Sequence, residues 1–229
     1  MFIRQCGYGA GVVLSRLNNM KTVFVATSNK GKQAEIARLA QQYGEDIRLR
    51  FPGTSNEIEV VESGSNFEEN ALLKAKAYQH AINDNSIIFV GDDSGIKIPA
   101  LNNEPGVYTR RWAGHEMTDA EILDYCMMKM SGMTGDQRSA VFETVLAVVK
   151  GNESPRYLNG TMVGRILDEP IEAPIVEGLP FTSIFWATEI DRPIYEVHSL
   201  KPEEREGFLT HREMAFKKLF EDLKTNQTQ

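Results

Sequence analysis

The sequence has few cysteines, no long apolar run and fewer basic than acidic side chains, and each shortage excludes a class of protein. Only Cys6 and Cys126 are present, without metal-ligand spacing, so neither a disulfide framework nor a structural zinc site is predicted. No stretch approaches the roughly 18 uninterrupted apolar residues of a membrane span. With 25 Lys and Arg against 32 Asp and Glu, the net charge is −7, which argues against a nucleic-acid or membrane partner. We therefore expect a soluble protein of a reducing compartment, the cytoplasm.

The remaining composition is that of a folded globular chain. Its 229 residues are 41% hydrophobic and 25% charged, which suits one large domain or two small ones. Residues 1–19 contain no acidic residue, and Met20 is followed at once by a strand-like run. We interpret residues 1–19 as an N-terminal extension, either disordered or upstream of a misassigned start, and residues 21–224 as a single domain.

Hydrophobic periodicity predicts strands that alternate with helices in the first half of the chain and hairpins in the second. Ser65 with Glu68 and Thr118 with Glu121 have the spacing of capping boxes at helix starts. This order of elements predicts an α/β fold with a mixed sheet and flanking helices. The predicted strands are 22–27, 47–51, 87–90, 140–149, 156–158 and 161–166, with a turn at 159–160, and the predicted helices end near 43, 83, 130 and 223.

A polar segment, residues 27–32, stands where the first predicted strand ends and a helix begins. It reads Thr-Ser-Asn-Lys-Gly-Lys, which lacks the spacing of a Walker A loop. The free N–H groups and the dipole at a helix N-terminus attract anions, and Lys32 adds a positive charge. We interpret the segment as a candidate phosphate-binding loop. The alternative is a polar turn before a solvated helix.

Acidic residues occur at two places that suit metal or acid–base chemistry. Asp92 and Asp93 follow an apolar strand, and buried carboxylates need a metal, a base or solvent as partner. Glu69 lies near Lys74 at the start of a predicted helix, and together with an aspartate it would suit Mg²⁺, which takes oxygen ligands. The alternatives are that Glu69 complements the helix dipole and that one aspartate forms a turn with Gly95.

Basic side chains near residues 111 and 211 are candidates for holding phosphate or base. Arg111 can grip a phosphate with two nitrogens, and His211 and Arg212 can donate to a carbonyl-bearing base. The alternative is that His211 and Arg212 are surface residues at the start of the last helix.

Five motifs, in this order and over residues 21–223, are similar to those of the inosine/xanthosine triphosphate pyrophosphatase family. The resemblance implies cleavage of a nucleoside triphosphate between its α and β phosphates with Mg²⁺, which yields a nucleoside monophosphate and pyrophosphate. It also implies an elongated α/β fold of two lobes around a central cleft, usually as a homodimer. The motifs are Ala26–Lys32, Glu62–Gly64 with Phe67–Ala71 and Lys74–Ala75, Asp92–Gly95, Pro105–Tyr108 through Trp112–Gly114, and Thr210–Arg212 with Ala215.

The resemblance further implies a role for each candidate residue. Asp93 would be the catalytic base or the group that positions water, supported by Asp92. Glu69 and Asp93 would be the Mg²⁺ ligands, and His211 and Arg212 would contact the base. The substrate-binding residues predicted in this way are Thr27, Ser28, Asn29, Lys32, Lys74, Ser94, Arg111, Phe181, His211 and Arg212.

The chain departs from the family pattern in the loop expected to hold the base. Where the family has Gly-Phe-Gly-Tyr-Asp-Pro, residues 178–183 read Gly-Leu-Pro-Phe-Thr-Ser, so the stacking aromatic becomes Leu179 and the aspartate becomes Thr182. An aromatic platform contributes about 1 to 3 kcal/mol per base in nucleic-acid binding. Phe181 and Trp186 are candidate replacements. Base selectivity is therefore expected to differ from the family pattern.

A second departure follows near the last motif, where the family's Lys five residues before the motif His is Glu206, next to Arg205. The phosphate and metal residues are retained, so hydrolysis of ITP, dITP or XTP is the leading hypothesis. One alternative is the same reaction on a pyrimidine or modified nucleoside triphosphate. The other is a nucleotide-binding relative without turnover, against which the retained acid cluster argues.

Overall fold

A computed structural model describes residues 20–53 and 57–225, and the predicted extension at 1–19 lies outside the described residues. The strands are β1 (Lys21–Val25), β2 (Ile47–Arg50), β3 (Ile88–Ile98), β4 (Glu104–Pro105), β5 (Ser139–Lys150), β6 (Arg156–Ile166), β7 (Phe185–Ala187) and β8 (Arg192–Pro193). The helices are α1 (Lys30–Tyr43), α2 (Phe67–Ile82), α3 (Asp119–Lys129), α4 (Ile194–Val197) and α5 (His211–Thr225), with 3₁₀ turns at Pro99–Leu101, Gly106–Arg111, Gly135–Arg138 and Pro202–Arg205.

The strands form one mixed sheet in the order β2-β1-β3-β5-β6-β7-β8, with β4 beside β3. Strand β1 is parallel to β2 and β3, because a helix connects each consecutive pair of these strands. From β3 onwards each neighbouring pair is antiparallel. The predicted α/β fold with a mixed sheet and flanking helices is confirmed.

Buried apolar side chains divide the structure into two lobes that share the long central strands. Val90 of β3 packs in a cluster with α1 and α5, whereas Ile96 of the same strand packs in a second cluster with α3 and β7. The residues of β3 between them, 91–95, therefore lie at the boundary of the two lobes. Within residues 20–53 and 57–225, no helix is both long and apolar enough to cross a membrane.

Two predicted strand boundaries are wrong. The sequence places residues 92–95 after the end of a strand, but they lie inside β3, because β5 pairs with β3 from Ile88 through Lys97. The predicted turn at 159–160 is instead part of the continuous strand β6. Gly160 allows α5 to approach, since a Cβ there would lie 2.1 Å from the carbonyl oxygen of His211.

The helix caps are partly as predicted. Thr118 and Glu121 form the expected capping box at the start of α3. Helix α2 begins one residue later than the sequence suggested, because Asn66 and not Ser65 is its cap. The Asn66 side chain accepts a hydrogen bond from the backbone N–H of Glu69 at 2.9 Å.

Candidate active site

Asp92 is a buried carboxylate with two cationic partners. Its Oδ1 accepts from Lys32 Nζ at 2.8 Å, and its Oδ2 accepts from Arg212 Nε at 3.1 Å. Burial by itself raises the pKa of Asp92, but Lys32 and Arg212 outweigh it and hold that pKa below its ordinary value. Asp92 is thus a permanent anion that holds a lysine from α1 and an arginine from α5 together.

Asp93, its neighbour on β3, has one paired oxygen and one unpaired oxygen. Its Oδ1 accepts from Lys74 Nζ at 2.6 Å, whereas Oδ2 is buried and has no hydrogen-bond partner among the described residues. Burial raises the pKa of Asp93, and Lys74 offsets part of that rise. A carboxylate with raised basicity and a free oxygen suits a general base or a metal ligand.

Lys74 lies between two carboxylates. Its Nζ is also 3.4 Å from Glu62 Oε2. Burial alone would lower the pKa of Lys74, but Asp93 and Glu62 raise it above its ordinary value, so the ammonium stays charged. Gly91 of β3 lets helix α2, which carries Lys74, pack close to the strand, because a Cβ at this position would lie 1.8 Å from the carbonyl oxygen of Ala71 in α2.

The predicted phosphate-binding loop connects β1 to α1, as the sequence indicated. Asn29 caps α1, with its Oδ1 accepting from the Lys32 N–H at 3.0 Å, and its Nδ2 donates to the carbonyl of Gly178 at 3.0 Å. Thr27 Oγ1 accepts from the Asn29 N–H at 3.3 Å, and Ser28 is exposed. The loop therefore presents a helix N-terminus to the space in front of it.

That space is an open cleft of about 1250 Å³ between the lobes. Its charged lining groups are of both signs, and Arg111 reaches it from the turn at 106–111 while its Nη2 donates to the carbonyl of Glu62 at 3.0 Å. The structure thus brings most of the predicted phosphate-end residues to one cleft. They are Thr27, Ser28, Asn29, Lys32, Lys74, Asp93, Ser94 and Arg111.

A small pocket of about 80 Å³, which we call the base pocket, adjoins this cleft. The ring of Phe142 stacks on that of His211, with centroids 4.8 Å apart and planes 13° apart. Phe181 meets Phe142 edge to face at 6.1 Å. Phe181 therefore lies where the sequence suggested, whereas Trp186, the other candidate aromatic, donates its indole N–H to Asp191 at 3.0 Å and does not line the pocket.

His211 is buried, and its Nδ1 has no hydrogen-bond partner in the described part of the chain. Burial and the neighbouring Arg212 lower its pKa well below the ordinary value, so the ring is neutral near pH 7. A neutral imidazole offers one donor and one acceptor, which suits the edge of a base. The predicted alternative of a surface histidine is wrong.

Arg212 connects the base pocket to the carboxylates. Besides Asp92, it binds Glu35 Oε2 through Nη1 at 2.6 Å and Ser94 Oγ through Nη2 at 2.7 Å. Sequence reasoning missed Glu35 and Phe142. Glu35 lies three residues after Lys32 on the same helical face, which is a usable signal. Phe142 lies inside a strand of ordinary composition, and no feature of the sequence around it indicates a place in the site.

Glu69 does not line the cleft with the other predicted residues. Its Oε2 accepts from the backbone N–H of Ser65 at 2.7 Å and from Ser65 Oγ at 3.0 Å, and these bonds lower its pKa. No group of three His, Cys, Asp or Glu side chains within 20–53 and 57–225 forms a metal site. The unpaired Asp93 Oδ2 fits Mg²⁺, since Mg²⁺ is commonly held by one or two carboxylates plus substrate phosphates.

The fold is a two-lobed α/β structure whose cleft holds paired carboxylates, lysines and a helix N-terminus. This arrangement is typical of proteins that bind nucleotides through their phosphate groups. The sequence profile of the Ham1 family matches residues 23–222. The chain therefore belongs to the Ham1 family.

Relatives and solved structures agree. The chain is 32% identical to a dITP/XTP pyrophosphatase of Vibrio cholerae over 91% of this chain and 100% of that protein, and 34% identical to one of Bacillus cereus over 90% and 97%. The Ham1 protein of Staphylococcus aureus superimposes with a TM-score of 0.71 at 28% identity, over 90% of this chain and 100% of that one. A HAM1 protein of Coxiella burnetii gives 0.71 at 30% identity over the same shares.

Proposed function

We propose that this protein hydrolyses non-standard purine nucleoside triphosphates, ITP, dITP and XTP, to the nucleoside monophosphate and pyrophosphate. The observation that carries the proposal is the continuity of the charged cleft with the base pocket. Asp93 and Lys74 occupy one end, His211 and Phe142 occupy the other, and Arg212 spans between them. A nucleotide with a triphosphate at one end and a flat base at the other matches that division. The names of the relatives support the same reaction.

The charged end would neutralise the substrate. A nucleoside triphosphate brings about four negative charges, which catalysis of phosphate transfer must balance by positioned cations. Lys32 and Lys74 supply two ammonium groups at the cleft, and the N-terminus of α1 adds backbone N–H groups. Each lysine is fixed by an aspartate, so little reorganisation is needed when phosphate binds.

Asp93 would accept the proton of the attacking water through its unpaired Oδ2 while the water oxygen bonds to the α phosphorus. The bond from that phosphorus to the bridging oxygen would break, and pyrophosphate would leave. We propose Mg²⁺ as the cofactor. Asp93 would serve either as one of its ligands or as the base, because Oδ1 is paired with Lys74 and Oδ2 can fill one of these roles at a time. Mg²⁺ would balance charge on the phosphate oxygens and help to orient the water. Asp92 would act indirectly by holding Lys32 and Arg212 in place.

We propose Glu69 as a second Mg²⁺ ligand. To bind the metal, its carboxylate would have to give up the two hydrogen bonds that it accepts from Ser65. The variant Glu69→Gln tests this role. A ligand role predicts that the Mg²⁺ concentration for half-maximal activity rises about tenfold. An unchanged Mg²⁺ titration would assign Glu69 to the start of α2 alone.

The test of the main proposal is pyrophosphate release with Mg²⁺ from ITP, dITP, XTP and the common nucleoside triphosphates. Faster release from ITP, dITP and XTP supports the proposal. A preference for a pyrimidine triphosphate would favour the second candidate, for which Leu179 and Thr182 in the pocket loop are the motivation. Release from no nucleotide would favour a binding protein without turnover.

We keep a homodimer and a cytoplasmic location as predictions. Both come from the family resemblance and the composition. Sedimentation equilibrium of the purified chain checks the first, and a mass of one chain at micromolar concentration would contradict it. Fluorescence microscopy of a tagged chain checks the second.

A further inference from the structure

Arg205 joins two segments that line the base pocket. Its Nε donates to the carbonyl of Leu200 at 3.3 Å, two residues after His198. Its Nη1 binds Glu213 Oε1 at 2.6 Å, two residues after His211. Both histidines line the base pocket. One guanidinium group thus spans from the wall that follows α4 to the wall that begins α5.

Glu213, which binds Arg205, also forms hydrogen bonds within the first turn of α5. Its Oε2 accepts from the backbone N–H of Thr210 at 2.9 Å, and its own N–H donates to Thr210 Oγ1 at 3.2 Å. This reciprocal pair has the pattern of a capping box. His211 and Arg212 lie between the two residues of the box. The Glu213 carboxylate therefore helps to fix the position of the helix turn that carries these two pocket side chains.

The ion pair is deeply buried and only partly satisfied. The side chains of Arg205 and Glu213 are 5% and 2% exposed. The Nη2 of Arg205 is buried with no hydrogen-bond partner among the residues the structure describes. An unpaired donor next to a buried charge costs stability, and buried ion pairs are weak stabilisers in general. Placement of the pocket walls is a function that accounts for such a costly group.

We propose that Arg205 is a positioning residue that sets the selectivity for the base, because it fixes the distance between the His198 and His211 walls. It acts through Glu213 and the Leu200 carbonyl and does not itself touch the phosphate end of the cleft. This inference rests on the proposed function, since it concerns the base pocket of that same site.

Arg38 provides a matched control. Its Nη2 binds the same Glu213 oxygen at the same 2.6 Å, but it projects from α1, and its side chain is 39% exposed. No hydrogen bond joins Arg38 to the His198 wall in the described structure. Arg38→Gln removes one cation from Glu213 and leaves the connection between the walls intact. Arg205→Gln removes one cation from Glu213 and also breaks that connection.

The experiment compares kcat and KM for ITP and dGTP in the unmodified protein, Arg205→Gln and Arg38→Gln. We expect Arg205→Gln to lower the ratio of kcat/KM for ITP over dGTP about tenfold, mainly through a higher KM for ITP, because displacements of about 1 Å can cost up to about 10²-fold. We expect Arg38→Gln to leave that ratio within about twofold. Equal changes of the ratio in both variants, or an equal fall of kcat for both nucleotides, would overturn the proposal.

Arg205→Lys guards against a folding defect in Arg205→Gln. Lysine keeps a charge for Glu213 but has no Nε–H for the Leu200 carbonyl. Its thermal unfolding is expected to stay close to that of the unmodified protein while the ITP to dGTP ratio falls several-fold. A normally folded Arg205→Lys protein with an unchanged ratio would also overturn the proposal.

Calorimetry with the products separates this inference from the proposed function. Inosine monophosphate carries the base, and pyrophosphate does not. We expect Arg205→Lys to weaken binding of inosine monophosphate several-fold and to leave pyrophosphate binding unchanged, even if no nucleotide is hydrolysed. In that case the proposed function fails and the positioning role stands. Equal weakening of both products, or weakening of neither, contradicts the positioning role.

Discussion

The two ends of the site are built on opposite principles. At the phosphate end, Asp92 and Asp93 hold Lys32 and Lys74 by ion pairs of 2.8 and 2.6 Å, so charge is placed before the substrate arrives. At the base end the rings of Phe142 and His211 stack beside the Arg212–Glu35 ion pair, and His211 Nδ1 has no hydrogen-bond partner among the described residues. One end offers fixed charge to any triphosphate.

The other end offers an apolar surface and unpaired polar atoms, which discriminate among bases because an unmatched polar group is costly when buried. We therefore expect mutations at the phosphate end to change the rate for every nucleotide alike or to change the stability of the protein. Mutations at the base end should change the order of preference. The following predictions test that division.

Asp93→Asn should have the largest effect. Removal of a general base costs about 10² to 10⁴-fold in rate. The fall should be the same factor for every nucleotide that the unmodified protein cleaves, and nucleotide binding should remain detectable. Pyrophosphate release checks the rate, and calorimetry checks the binding. Substantial residual turnover would mean that another group takes the proton.

Asp92→Asn should affect stability more than chemistry. It leaves Lys32 and Arg212 without their shared anion in a buried site, which costs about 3 to 5 kcal/mol. Urea unfolding should show a midpoint below that of Asp93→Asn, because Asp92 pairs with two buried cations and Asp93 with one, and Lys74 still has Glu62 at 3.4 Å. A loss of activity with an unchanged midpoint would contradict this separation of the two aspartates.

Phe142→Ala should act on preference. The Phe142 ring stacks on His211 and holds it in place, so its loss should raise KM for ITP several-fold while kcat at saturation changes little. Phe142→Leu is the control, since it fills part of the volume without a ring. If the leucine variant keeps the KM for ITP of the unmodified protein, the volume of Phe142 and not its ring is what the pocket needs.

The last prediction concerns pH dependence, which follows from the coupling of Asp93 to Lys74. The base must be deprotonated, so kcat should rise with pH through the raised pKa of Asp93. Lys74→Gln removes the cation that lowers this pKa, so the acidic limb of the pH–kcat curve should move to higher pH. A limb that stays in place or moves down would show that another group controls it.

The phosphate end could be predicted from sequence because its groups come in short contiguous motifs. Residues 27–32 and 92–95 each carry several polar side chains in one run, and those runs meet at neighbouring strands. The fold class followed from the order of strands and helices. The error over residues 92–95 arose because polar residues suggested a loop, whereas pairing with β5 keeps them in a strand.

The base end could not be predicted in the same detail because its parts are scattered. Phe142 and His198 come from a strand and a helix end, and neither stands in a recognisable local pattern. Glu213 follows Thr210 at the spacing of a capping box, which predicts a helix start but not a place beside the pocket. Only Phe181 and the pair at 211–212 carried a sequence signal. Their meeting depends on tertiary packing, which a periodicity argument does not contain.

Strand β3 has a mechanical consequence, because it crosses from one lobe to the other without a break. Its partner β5 pairs with it from Ile88 through Lys97, so no flexible linker separates the lobes along this strand. The lobes can approach each other only by a twist of a continuous sheet, which is a small, stiff movement. Loss of pairing at any point along β3 would also spread to both lobes, so they should melt together as one cooperative unit.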